Sequence, residues 1–258
     1  MIRRLFLPFA ILSLATSSLA GGEWAPIFNG KNLDGWVPKI TKHEVGVNVH
    51  DTFRVEDGIL KVSYENYGEF DGRFGHLYSE KSYSHYLLRM EYRFEGEMMP
   101  DAPHYVNLNS GFMVHAQPAH EMKLNQNFPV SVEFQFLADE GKGPRQTGNV
   151  CTPGTLIEID GETITQHIVK SSAPTFPAGE WISVEIEVRG GESIVHRVNG
   201  EDVLRFEKPS LDPNDEKFGA QDLIKAGKPL LIESGHIALQ AEGQGVWFRN
   251  IELKQLEP

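Results

Sequence analysis

The chain has 258 residues, 36 acidic against 24 basic, for a formal charge of −12, and a single cysteine, Cys151. Such an acidic surface disfavours nucleic acid and anionic membranes as partners. A lone cysteine excludes an internal disulfide, so the fold must be held by its core, for which the length is ample.

The first twenty residues read as a secretory signal peptide. Met1-Ile-Arg-Arg is a basic start, Leu5–Ala15 is an apolar block too short to span a bilayer, and Ser18-Leu19-Ala20 is a small-x-small cleavage site. Cleavage after Ala20 removes Arg3 and Arg4, takes the formal charge from −12 to −14, and leaves 21–258 as one exported domain, periplasmic or secreted, with no later run suited to membrane insertion.

From Trp24 to Trp36, apolar residues are interrupted by turn signals at Asn29-Gly30 and Asp34-Gly35. Thr52–Val62 predicts a hairpin about Asp57-Gly58, and Gly75–Ser79 and Tyr86–Phe94 predict further strands. Glu95–Leu108 reads as a connection. The runs Gly111–His115 and Val130–Leu137 are strands in which Ser131, Glu133 and Gln135 share one face and Val132, Phe134 and Phe136 the other. Between them, Gln117–Phe128 reads as a loop at the rim. Asp139–Pro153 is Gly-rich and polar, and predicts a long loop over one face.

Leu156–Val169 predicts a hairpin about Asp160-Gly161, and Glu180–Phe206 three strands joined at Gly190-Gly191 and Asn199-Gly200. Glu207–Glu233 is irregular, with a possible helical turn over Asp222–Ala226. His236–Ala241 and Val246–Leu253 close the chain as two strands. A dozen or so short strands with almost no helix define an all-β chain, a single antiparallel β-sandwich of jelly-roll type.

Chemistry concentrates around the paired central strands. Glu133 could act as an acid or base with Gln135 positioning a ligand, and His115 as a base or metal ligand, against the plainer readings of a solvated strand face and a satisfied histidine. Arg249 could pair with Glu133 or bind ligand oxygens, or form a structural ion pair. The tract Glu158-Ile-Asp160-Gly-Glu162 mimics the E-x-D-x-E motif of laminarinase-type glycoside hydrolases, but its Asp-Gly reads as a hairpin turn that would splay the carboxylates. The histidines between positions 43 and 120 lack the spacing of a local metal pair, which leaves a divalent metal ion possible and unassigned.

The segments F-N-G-K-N-L-D-G-W (28–36), F-R-V-E-D-G-I-L-K-V (53–62), N-S-G-F-M-V-H (109–115), V-E-F-Q-F-L (132–137) and I-A-L-Q-A-E-G-Q-G-V-W-F-R-N-I-E-L (237–253) occur in this order. Together they resemble the 3-keto-disaccharide hydrolase-like domain family of exported bacterial proteins. The resemblance implies a concanavalin A-like jelly roll and an oligosaccharide or glycoside substrate oxidised at C3. It also implies a polar face of Asn109, Ser110, His115, Glu133, Gln135, Gln240, Glu242 and Arg249. Many relatives carry His where this chain has Glu242. On that resemblance Glu133, His115 and Arg249 are the expected catalytic groups, and Asn109, Ser110, Gln135, Gln240 and Glu242 the substrate-binding ones. The alternatives are a non-catalytic carbohydrate-binding sandwich and an ordinary retaining glycosidase working through Glu158 and Glu162.

Overall fold

The computed structural model describes residues 22–258, so the leader expected at Met1–Ala20 lies outside the described residues. Strands dominate. The first part of the chain supplies β1 (Ala25–Pro26), β2 (Trp36–Ile40), β3 (Phe53–Glu56), β4 (Ile59–Val62), β5 (Gly75–Tyr83) and β6 (His85–Glu95). The middle supplies β7 (Asn109–Ala116), β8 (Val132–Leu137), β9 (Asn149–Cys151), β10 (Thr155–Ile159), β11 (Glu162–Ile164) and β12 (Ile168–Val169). Then come β13 (Ile182–Arg189), β14 (Ser193–Val198), β15 (Glu201–Leu211), the short helix α1 (Ala220–Lys225), β16 (Gly235–Ala241) and β17 (Gly245–Gln255).

They form two antiparallel sheets. One runs β11-β10-β15-β14-β13-β6-β17-β4-β3, with β1 added alongside β17; the other runs β12-β9-β8-β7-β16-β5-β2. The expected all-β sandwich is therefore present. Its tight hairpins form where Asp-Gly and Asn-Gly stand. Asp57, Gly58, Asp160, Gly161, Asn199 and Gly200 all have positive φ, as the two-residue turns that match strand twist require.

The apolar faces of the two sheets meet in one core. Phe134 stacks on Phe112 at 5.1 Å, and Phe136 lies flat against Tyr92 of the opposite sheet, centroids 3.8 Å apart. Offset aromatic pairs of this kind add to the transfer energy of burial. Because strand side chains alternate, committing Phe112, Phe134 and Phe136 to the core sends their neighbours to the far side of the seven-stranded sheet.

Two sequence expectations change. Asn149–Cys151, inside the stretch read as a loop, is a strand that pairs with β8, Glu133 opposite Cys151 and Gln135 opposite Asn149. The Gln117–Phe128 segment is not confined to a rim. It packs onto the β2–β5 side of the polar face, with the Tyr78 hydroxyl donating to Met122 Sδ at 2.8 Å and Thr41 Oγ1 donating to the Gln126 carbonyl at 3.2 Å.

Candidate active site

The register lays the polar face out in rows. Across β2, β5, β16, β7, β8 and β9, one row reads Lys39, His76, Gln240, Gly111, Gln135, Asn149. The next reads Val37, Tyr78, Ala238, Met113, Glu133, Cys151, and reaches Ile168 on β12. With the Gln117–Phe128 loop over one side, what stays open is the β7–β8–β9–β12 side. A cavity of about 550 Å³ lies there, floored by Glu133, Gln135, Asn149 and Cys151 and walled by Tyr105, Phe128, Arg145, His167, Phe218 and Glu242.

Gly111 shapes the floor. A Cβ built there would stand 2.6 Å from the Phe134 carbonyl oxygen and 2.9 Å from Glu133 Oε1, so the Glu133 carboxyl rests over a position that only glycine leaves open. Cys151 stands opposite Glu133 on the neighbouring strand, and its thiol favours the ionised form of that carboxyl. Glu242 follows directly on β16 and lines the same cavity, with its Oε2 lacking a hydrogen-bond partner among the described residues.

Burial disfavours the charged form of both carboxyls. It pushes Glu133 up to about 8 even though the neighbouring Cys151 thiol pulls the other way. Glu242 is raised well above the usual carboxylate range by burial and then by repulsion from Glu133. Both shifts run the same way, so the fold favours the protonated form of each carboxyl.

Amides flank this pair. Asn149 Nδ2 donates to Gln135 Oε1 at 3.0 Å, Gln135 Nε2 to Asn109 Oδ1 at 3.2 Å, and Asn109 Nδ2 to the Tyr105 carbonyl at 3.1 Å. The Ser171 backbone N–H anchors the far end on Asn149 Oδ1 at 2.9 Å. A chain of amides each fixed by the next is pre-oriented for ligand hydroxyls.

Of the eight residues the sequence singled out, Glu133, Gln135, Asn109 and Glu242 converge on this cavity. Gln240 lies on the same face, one strand over beside Gly111, but is sealed off, with Oε1 unpartnered among the described residues. Three stand elsewhere. Ser110 is level with Phe136 on the core side, where its hydroxyl donates to the Gln240 carbonyl at 3.2 Å.

His115 leaves the alternation at a β-bulge: β7 and β16 pair at Met113 with Ala238 and again at Ala116 with His236, so two β7 residues face one on β16. With φ of 53°, His115 turns away, sets Nε2 3.0 Å from the Gly190 carbonyl and lines a separate cavity with Gln117 and His236. Burial lowers its pKa to about 4. Arg249 belongs to the other sheet, where it pairs with Glu91 at 2.8 Å and lies over Trp181 at 4.1 Å. The core separates it from Glu133, and the plainer reading, a structural ion pair, holds.

Glu158 and Glu162 flank the hairpin turn. Glu158 is level with Thr163 and Glu162 with Ile159, so the two carboxylates point to opposite faces, and Glu158 pairs with Lys208 at 2.7 Å. Sequence reading missed Asn149 and Cys151, whose spacing of two around Val150 was the available signal, and the aromatic and cationic wall residues, which carried none. Among the described residues, no three His, Cys, Asp or Glu side chains are grouped to hold a metal ion. No helix among them is long and apolar enough to cross a membrane.

Two stacked antiparallel sheets with a carboxyl-bearing polar pocket on one sheet face define a jelly-roll β-sandwich. The chain belongs to the 3-keto-alpha-glucoside-1,2-lyase-like domain family, whose model matches residues 23–254. It is 25% identical over 256 residues to a 3-keto-disaccharide hydrolase of Bacteroides thetaiotaomicron, covering 90% of this chain and 78% of that protein. Two crystal structures of Parabacteroides distasonis proteins, provisionally described as glycosyl hydrolases, share the fold. One superposes with a TM-score of 0.52 at 19% identity over 92% of this chain and 94% of its own, the other with 0.53 at 20% over 91% and 100%.

Proposed function

We propose that this chain is an exported carbohydrate-active hydrolase that cleaves 3-keto-glycosides by removing the C2 proton, eliminating the C1 substituent and hydrating the product. The observation that carries the reading is the pair of buried carboxyls, Glu133 and Glu242, facing one cavity beside a fixed array of amides. The family's description and the name of the Bacteroides relative point to the same substrate class. The leader Met1–Ala20 supports export.

A ketone at C3 acidifies the hydrogen on C2. Glu133, once ionised, takes that proton; the C2–H electrons form the enolate and then expel the substituent at C1, whose oxygen is protonated by the carboxylic acid of Glu242. Water adding across the new double bond at C1 and C2 restores the proton balance and makes the net reaction a hydrolysis. The amides of Asn109, Gln135 and Asn149 hold sugar hydroxyls and the keto oxygen in place while negative charge moves onto it. A base and an acid with different proton affinities are what the step needs, and two buried carboxyls that repel one another supply that difference.

The carbohydrate-binding alternative uses the same amides without the carboxyl pair. It gives no reason to bury two acids, a costly arrangement. Incubation with a 3-keto-disaccharide and with its unoxidised parent separates the readings. Sugar release from the keto form alone, lost in Glu133→Gln, is the expected outcome. Release from the parent indicates a conventional glycosidase, and binding without turnover a lectin-like module.

A further inference from the structure

We propose that the substrate carries an anionic group and that Lys170 and Lys217, at the mouth of the cavity, recognise it. This rests on the reading that the cavity binds a glycoside and adds the charge of that glycoside. On the ladder that pairs Val169 with Val150 and Ile168 with Cys151, one further step brings Lys170 level with Asn149. Lys170 thus ends the row that runs Gln240, Gly111, Gln135, Asn149, and it lines the cavity.

Lys217 lines the same cavity from a turn that is fixed independently of any ligand. The buried Asp215 carboxylate accepts the backbone N–H groups of Lys217, Phe218, Gly219 and Ala220, at 2.9 Å for Lys217 and 2.7 Å for Gly219. Burial alone would raise the Asp215 pKa, but those bonds together outweigh it, hold the carboxyl below the usual range and occupy both its oxygens. The same turn stacks Phe218 on His167, centroids 5.5 Å apart, and places Lys217 Nζ 4.8 Å from the Phe218 ring.

The other cation in the wall, Arg145, is already committed. It donates to the carbonyls of Leu108, Ala138 and Asn107 and pairs with Glu140 at 3.2 Å. Among the described residues, Lys170 and Lys217 have no acidic partner within ion-pair distance, although acids outnumber bases by 36 to 24 in the chain. Two lysines without counter-ions at one cavity mouth, beside an aromatic wall, form a receptor for a negative charge on a ring-bearing ligand. A carboxylate and a sulfate ester both have that chemistry.

The test is equilibrium binding of unoxidised glucosides that do not require turnover: 4-carboxyphenyl glucoside, its neutral 4-carbamoylphenyl isostere, and the corresponding sulfate ester. Wild-type protein is expected to bind one or both anionic ligands on the order of tenfold more tightly than the neutral one. The preference should vanish in Lys170→Met/Lys217→Met and shrink with added salt, while neutral-ligand affinity stays within about twofold. Which anion gains tells carboxylate from sulfate. Equal affinity for all three, no binding at all, or a preference that survives the double variant overturns the proposal. Parallel turnover of the 3-keto forms reports on the proposed reaction separately: a neutral keto-glycoside cleaved with no charge preference sinks this inference and leaves that reaction standing.

Discussion

Glu133 is buried over Gly111 with its carboxyl raised to about 8, so folding favours its protonated form. Between the unfolded carboxyl value and that raised one, the native state holds a proton the unfolded chain releases. Its stability contribution is therefore whole in acid and is lost as pH rises from about 4.3 toward 8. Glu133→Gln removes the penalty. We expect it to abolish turnover of a 3-keto-glycoside while raising stability at pH 7 by about 1–3 kcal/mol, with the gap to wild type widening from pH 5 to 8 in urea melts. On the proposed mechanism the same raised value governs the pH dependence of turnover. If Glu133 is the base, kcat/KM climbs with pH and levels near 8. Cys151→Ala, which removes the thiol that favours the ionised form, moves that limb to higher pH. A limb unmoved by Cys151→Ala would take the base role from Glu133. The position of Glu133 and Gln135 was legible, since spacing two around Phe134 fixes their common face. By that rule Asn109 and Ser110 could not share a face, and the structure gives the site to Asn109.

Strand boundaries followed their turn residues: each Asp-Gly or Asn-Gly between alternating runs became a positive-φ hairpin. What could not be read were departures from regular pairing. A bulge costs one residue and leaves no compositional mark, so His115 looked like the end of a row when it turns toward Gly190. Three residues inside a glycine-rich tract are too short to register as a strand, yet pairing with β8 makes β9 and brings Asn149 and Cys151 to the site. Close approach of β7 and β8 is itself testable through Gly111. A methyl there meets the Phe134 main-chain carbonyl as well as the Glu133 carboxyl, and because the main chain cannot swing aside, β8 must shift. Gly111→Ala should cost about 1–3 kcal/mol and lower kcat/KM by more than on the order of a hundredfold, because β8 carries both Glu133 and Gln135. Retained activity with a normal melt would show that the strand spacing is not what seats the carboxyl.

At the scale of the molecule, which sheet a strand joins is a long-range choice that alternation cannot reveal, and Arg249 shows the consequence. Its strand reads the same whichever sheet takes it, and the fold puts it against Glu91 and Trp181, a whole core away from Glu133. Arg249→Met should leave kcat/KM within about twofold and cost no more than about 1 kcal/mol, as a partly exposed ion pair does.

The second long-range fact is the cover. The Gln117–Phe128 loop is tied to β2 and β5 through Met122, Leu124 and Gln126, with Phe128 packed on Phe74 at 5.1 Å. It closes the β2–β5 end of the polar face. A sandwich whose sheet face is open from edge to edge can bind the middle of a polymer; one plugged on the β2–β5 side admits a chain end. We therefore expect turnover of 3-keto-disaccharides and of polymers oxidised at their non-reducing terminal sugar, with internal 3-keto residues left intact. The length distribution of products from a randomly oxidised glucan decides it: release of short sugars from the end with the polymer size unchanged is the expected pattern. A rapid fall in polymer length would mean that the loop lifts from β2 and β5 and that His76 and Gln240, now sealed beneath it, belong to the working site.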